Sequence, residues 1–167
     1  MMAEYKVRNC LDLGVNAQKI IKRLFANQNL MKLLYYTDKD PLSHEDLTKE
    51  QIEKEVFEKL VKIVPRVGPK ETARSIIALR IARGRTDMNN SEFKHVTISL
   101  EIFVPLTQWI IKDTNLRPFA IMGEIQKSLD GKKIDGLGKM SGGDFDLDFL
   151  TEEISAYLMT FTLTSYD

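Results

Sequence analysis

The stretch Lys94–Lys112, KHVTISLEIFVPLTQWIIK, decides the fold class. Val96, Ile98, Leu100, Ile102 and Val104 fall on one side of an extended chain; His95, Thr97, Ser99, Glu101 and Phe103 fall on the other. Alternation with a period of two is the signature of a strand that lays one face on a core and leaves the other to water, as in antiparallel sheets. Pro105 has no amide to give a ladder and marks a bulge or an edge. Beyond it, Leu106 to Ile111 is expected to continue extended.

Upstream, Ala73 to Arg85 alternates as well: Ser75, Ile77, Leu79 and Ile81 face one way, and Arg74, Ile76, Ala78, Arg80 and Ala82 the other. The segment between the two runs, Gly84 to Glu92, is polar and too long for a tight turn. It is expected to be the flexible tip of a long β-hairpin spanning 73–104.

The N-terminal third reads as helical. Leu11, Val15, Ile21, Leu24 and Phe25 recur at spacings of three and four between Arg8 and Ala26, with Gly14 expected to delay the start to Leu13 or Asn16. Asn29 is expected to cap a short second helix over Leu30–Tyr35. Thr37–Leu47 is rich in turn formers and reads as a surface loop. A helical segment is placed at 41–64, where Thr48 and Gln51 match a capping box and Ile52, Val56, Phe57 and Leu60 keep a helical period to about Lys59. The β-branched Val61, Ile63 and Val64 offer the alternative of a strand.

Downstream, Arg117-Pro118 opens a helix whose Phe119, Met122, Ile125 and Leu129 share one side, with Gly131 as its C-cap. A glycine-rich loop or short strand follows. Two alternating runs then close the chain. Phe145, Leu147 and Phe149 form the inner face of the first, with Asp144, Asp146 and Asp148 outside; the second carries Tyr157, Met159, Phe161 and Leu163, and the two join near Thr151–Ser155. The sum is a single α+β domain over 1–167, an antiparallel or mixed sheet with helices on one face.

Composition bounds what such a domain does. A chain of 167 residues with 43% hydrophobic and 29% charged residues closes one core. Its 24 basic and 24 acidic residues balance, so no global field draws it to nucleic acid or to an anionic membrane. No apolar run approaches the roughly 18 residues of a membrane span. The N-terminus lacks the apolar core of a secretory signal and the single cysteine, Cys10, has no internal partner, so synthesis in a reducing cytosol is expected.

No catalytic centre emerges. Asp144, Asp146 and Asp148 offer alternate carboxylates, but the glycine and glutamate of a calcium loop are replaced by Phe149 and Ser155. Gly136 and Gly138 lack the lysine and hydroxyl of a phosphate-binding loop. His44 and His95 form no metal pair, and Cys10 has only Arg8 near it in sequence. The chain is therefore expected to be no enzyme and to need no cofactor or metal.

One charge asymmetry stands out. Arg66, Lys70, Arg74, Arg80, Arg83 and Arg85, with Lys94 across the turn, make the first hairpin basic in a neutral chain. They either solubilise an exposed hairpin or meet an acidic surface, a neighbouring subunit or a phosphate backbone. Stacking aromatics are absent there, which argues against single-strand binding.

In its element order the chain resembles the tail terminator and tail-completion, or head-tail joining, proteins of tailed bacteriophages. Ile76 to Arg83, Lys94 to Val104, Arg117 to Leu129 and Ala156 to Thr164 carry the likeness. The resemblance implies a structural virion protein of the tail or neck, assembled in the host cytoplasm, that caps the tail tube as a ring of its own copies. Its partners would be the tube, the neck connector and, non-specifically, DNA in the channel, with no membrane involved. It further implies that Arg74, Arg80, Arg83, Arg85 and Lys94 meet a neighbouring subunit or DNA, and that Tyr157, Met159, Phe161 and Leu163 form a sheet-edge interface. A head-side neck connector and a small nucleic-acid-binding or regulatory module are the alternatives.

Overall fold

The alternating stretch forms β3, Asn90–Pro105. It pairs antiparallel with β2, Ile76–Asp87, on one side and β6, Ile154–Thr164, on the other. Beside β6 runs β5, Gly138–Leu150, also antiparallel. Two short strands close the flanks: β1, Val61–Lys62, parallel to β2, and β4, Lys133–Ile134, antiparallel to β5. The result is a mixed six-stranded sheet in the order β1-β2-β3-β6-β5-β4. These coordinates are a computed structural model that describes residues 10–63, 73–87, 90–134 and 138–164.

Among the described residues four helices complete the α+β fold: α1, Cys10–Phe25; α2, Gln28–Tyr35; α3, Lys49–Gln51; and α4, Arg117–Leu129. They cover the sheet face that carries Val96, Ile98, Leu100, Ile102 and Val104, all of them buried. Ile20, Leu24, Leu33, Leu34, Ile121 and Ile125 fill the same core from the helical side. Burying such side chains is worth roughly 1.5–3 kcal/mol each, which is why the apolar face of β3 dictates where the helices sit.

Buried Arg117 fixes the helical layer to the loops. Its guanidinium donates to the carbonyls of Gln108, Leu33, Tyr36 and Asp38 with the side chain almost fully enclosed. Burial pulls its pKa below the ordinary value, partly offset by the Asp38 carboxylate. No lysine could replace it, since only the planar fork reaches acceptors in several directions.

Several elements depart from the sequence reading. α1 begins at Cys10 despite Gly14, because packing of Ala17, Ile20, Ile21 and Leu24 outweighs the roughly 1 kcal/mol a helical glycine costs. Asn27, not Asn29, caps α2: its side chain accepts the Leu30 amide at 3.1 Å. The capping box of Thr48 and Gln51 forms, but the helical segment 41–64 is reduced to a 3-10 turn at Pro41–Ser43, α3 and a π turn at Ile52–Val56. Phe57 is already extended and Glu58 has a φ of +60°, so the helix ends short of Lys59 and Val61 enters the sheet. Arg66, Lys70, Gly68 and Pro69 lie outside the described residues.

The polar tip of the first hairpin also differs. Asp87 pairs with Asn90, so the polar residues extend the ladder, with irregularities after Ile81 and near Thr86. Past Pro105 the chain does not stay extended: Leu106–Gln108 is a 3-10 turn and Ile110 bridges Leu116. The second face of β3 is wet only in its first half. His95 is exposed, while Ser99, Glu101 and Phe103 are buried, Glu101 against Arg80 and Phe103 against Phe149.

Candidate assembly surfaces

Ladder register places residues on the two sheet faces. Arg80, Arg83 and Arg85 stand opposite Ser99, Thr97 and His95, on the face away from the helices. Across β6 the same face carries Thr162, Thr160 and Leu158, then Asp144 and Asp146 on β5. This open face is thus graded: arginine along β2, hydroxyls in the middle, carboxylate along β5. Arg83, Arg85, His95, Thr97 and Thr162 line a shallow groove of about 320 Å³.

The five basic residues singled out from the sequence divide. Arg83 and Arg85 are exposed in the groove, whereas Arg80 is committed to an ion pair with the buried Glu101. Arg74 leaves the set, its guanidinium 5.2 Å from the centre of the Tyr35 ring. The Lys94 side chain lies outside what is described. The proposed edge residues need correction too. β6 is an interior strand, so Met159, Phe161 and Leu163 are core, and on that side of the sheet β5 lies next to the edge, flanked by β4 only at Gly138 and Lys139.

β5 itself holds the surface that the sequence concealed. Phe145, Leu147 and Phe149, expected as the inner face of the strand, are 51%, 54% and 38% exposed, and neighbouring Leu150 is 62% exposed. Phe119 of α4 reaches Phe145 at this end of the sheet but leaves about half of that ring open. On the helical side Phe145 joins Tyr157, Phe119 and Trp109 in an aromatic cluster with ring centres 5.5–6.2 Å apart, beside exposed Ile110. By register Leu147 and Leu150 continue the face of Phe145, whereas Phe149, across from Ala156 and packed on Phe103, stands on the open face. Exposed apolar residues gathered on one face are a common mark of a contact surface.

A second basic region also escaped sequence reading because its residues are far apart in the chain. Lys19, Lys22 and Arg23 of α1 come beside Lys127, Lys132 and Lys133 around two adjoining hollows of about 400 and 470 Å³. Arg23 donates to the Ser128 carbonyl and Lys127 pairs with Glu124. Among the described residues, no group of three histidine, cysteine, aspartate or glutamate side chains is placed to hold a metal. His44 pairs with Asp38 at 2.8 Å and stacks on Tyr36, far in sequence from His95 in its groove.

The sheet thus combines one graded open face, two unlike edges and an exposed apolar patch. The YomW family matches residues 27–163, from the cap of α2 to the end of β6, and the chain belongs to it. That family name is of Bacillus phage type, which makes the chain phage-associated. No curated protein matches the chain.

Proposed function

We propose that the chain is a structural virion protein that caps the phage tail tube and joins tail to head as a ring of subunits. The observation that carries this reading is the exposed apolar group Phe145, Leu147 and Leu150 on the helical face of β5, which a partner would bury. Such a role requires surfaces and no turnover, and closed rings arise from head-to-tail contacts between unlike surfaces. The tube, the neck connector and further copies of the chain are the partners in this account, in the tail or neck of the virion. A head-side connector would use the same surfaces against the portal.

The test is to add purified protein to headless tail tubes and image them by electron microscopy. Density at one tube end is expected; bare tube ends would argue against the reading. The cluster of Lys19, Lys22, Arg23, Lys132 and Lys133 favours a second reading, a DNA-contacting module. In that case the isolated monomer binds duplex DNA with an affinity that falls steeply with salt.

A further inference from the structure

We infer that copies of this chain join by adding β5 of one to β2 of the next, extending the sheet, with Arg83 and Arg85 meeting Asp146 and Asp144. The inference deepens the ring reading above and rests on it.

Four features of the sheet converge. First, both flanking strands are short. β1 covers only Ile77 and Ala78 of β2, and β4 only Gly138 and Lys139 of β5. Among the described residues nothing pairs with 79–87 on the side away from β3, or with 142–150 on the side away from β6. Unpaired edges are templates for another strand.

Second, the directions agree. β2 to β3, β3 to β6 and β6 to β5 are each antiparallel, so β5 runs opposite to β2. A neighbour that continues the sheet in the same orientation therefore brings its β2 to β5 as an antiparallel strand.

Third, the flanking strands bound the register. In an antiparallel joint of 79–87 with 142–150, β1 lies past the end of the partner's β5 and β4 past the end of the partner's β2, so neither obstructs. That window pairs Arg85 with Asp144 and Arg83 with Asp146.

Fourth, the faces match. Directly paired residues share a face, and Arg83, Arg85, Asp144 and Asp146 all belong to the open one. On the other face Gly84 then meets Phe145, leaving the ring room and shielding it from water. Charges that merely protected edges from aggregation would repel a second copy. Here the two edges carry opposite signs, and opposite charges directly across a ladder stabilise it.

The test is charge reversal, read by analytical ultracentrifugation with circular dichroism as the check on folding. One variant carries Asp144→Arg and Asp146→Arg, a second carries Arg83→Asp and Arg85→Asp, and a third carries all four changes. Either two-site variant alone is expected to lose at least tenfold in self-association. Their equimolar mixture is expected to recover assembly as alternating copies, and so is the four-site variant. Wild-type-like assembly of a folded two-site variant would overturn the joint while leaving tail capping intact. Should a two-site variant fail to fold, the four-site variant decides: assembly supports the joint, and a folded monomer overturns it. Wild-type protein that stays monomeric overturns the joint, and overturns the ring reading as well if it also leaves tube ends bare.

Discussion

At the scale of single residues, the most consequential side chains are those that connect distant parts of the chain. Arg117 is one: four carbonyl acceptors, three from the stretch 33–38 and one from Gln108, converge on it in the interior. Removing it leaves buried acceptors unsatisfied, at about 1–3 kcal/mol per group before relaxation. Arg117→Met is expected to cost about 3–5 kcal/mol in urea denaturation, with Arg117→Lys recovering little of it. From the sequence it was legible only as the first residue of a helix ahead of a proline. Its partners lie as far away as Leu33, and no local pattern announces them.

Asn27 connects α2 to α4 in the same way. While its oxygen caps α2, its amide donates to Ser128 and to both the carbonyl and carboxylate of Glu124. Burial pushes the Glu124 pKa up, but Lys127 and Asn27 more than offset this and hold it below the ordinary 4.5. A carboxyl lowered on folding stabilises the fold above its unfolded pKa and loses that contribution as pH falls through the folded one. Thermal melts between pH 5 and 3 should therefore show a shallower acid-side decline in Glu124→Gln than in the wild type. Asn27→Ala is expected to cost about 1–2 kcal/mol, through the lost cap and the stranded Glu124.

At the scale of elements, the alternating runs and the proline-initiated helix were readable because period and punctuation are local. The cores of β2, β3, α4 and β6 stand where alternation or capping placed them, whereas β5 starts at Gly138, inside the glycine-rich segment that reads as a loop or short strand. Facing was harder to read. In β5, Phe145, Leu147 and Phe149 are exposed along with the intervening aspartates, and the bulge between Leu147 and Phe149 turns Phe149 to the face opposite the other two. Alternation shows that a strand has two faces, but only the neighbours decide which is buried. The two-residue β1 and β4 carry little pattern, so a strand at Val61 reads only as the alternative to a helix and β4 falls in a segment that reads as a loop or a short strand.

β5 depends on one glycine. Gly142 has a φ of +131°, and a Cβ there would lie 2.7 Å from the Thr160 carbonyl oxygen of β6. Gly142→Ala therefore forces the β5–β6 ladder apart at the bulge and is expected to cost about 1–3 kcal/mol. The same change at Gly131, whose φ is +68° with open space around it, should cost only about 1 kcal/mol. Paired chemical denaturation curves would separate the two.

At the scale of the whole molecule, the chain puts hydrophobic area on its surface that a monomer has no use for. Phe145→Ser with Leu147→Ser is expected to cost the monomer about 1–2 kcal/mol, since both side chains are only half buried and Phe145 leaves its aromatic contacts. The same pair should weaken association and tail binding. The basic hairpin noted in the sequence resolves into a narrower feature, Arg83 and Arg85 on an open sheet face, with an acidic counterpart on the opposite edge that composition alone averaged to zero.

The most direct test of the account is the native mass of the wild-type protein across concentration at low ionic strength. A single closed oligomer, a fixed multiple of the 19.2 kDa chain that gives way to monomer as salt rises, is the result predicted. A mass of one chain at every concentration would contradict it.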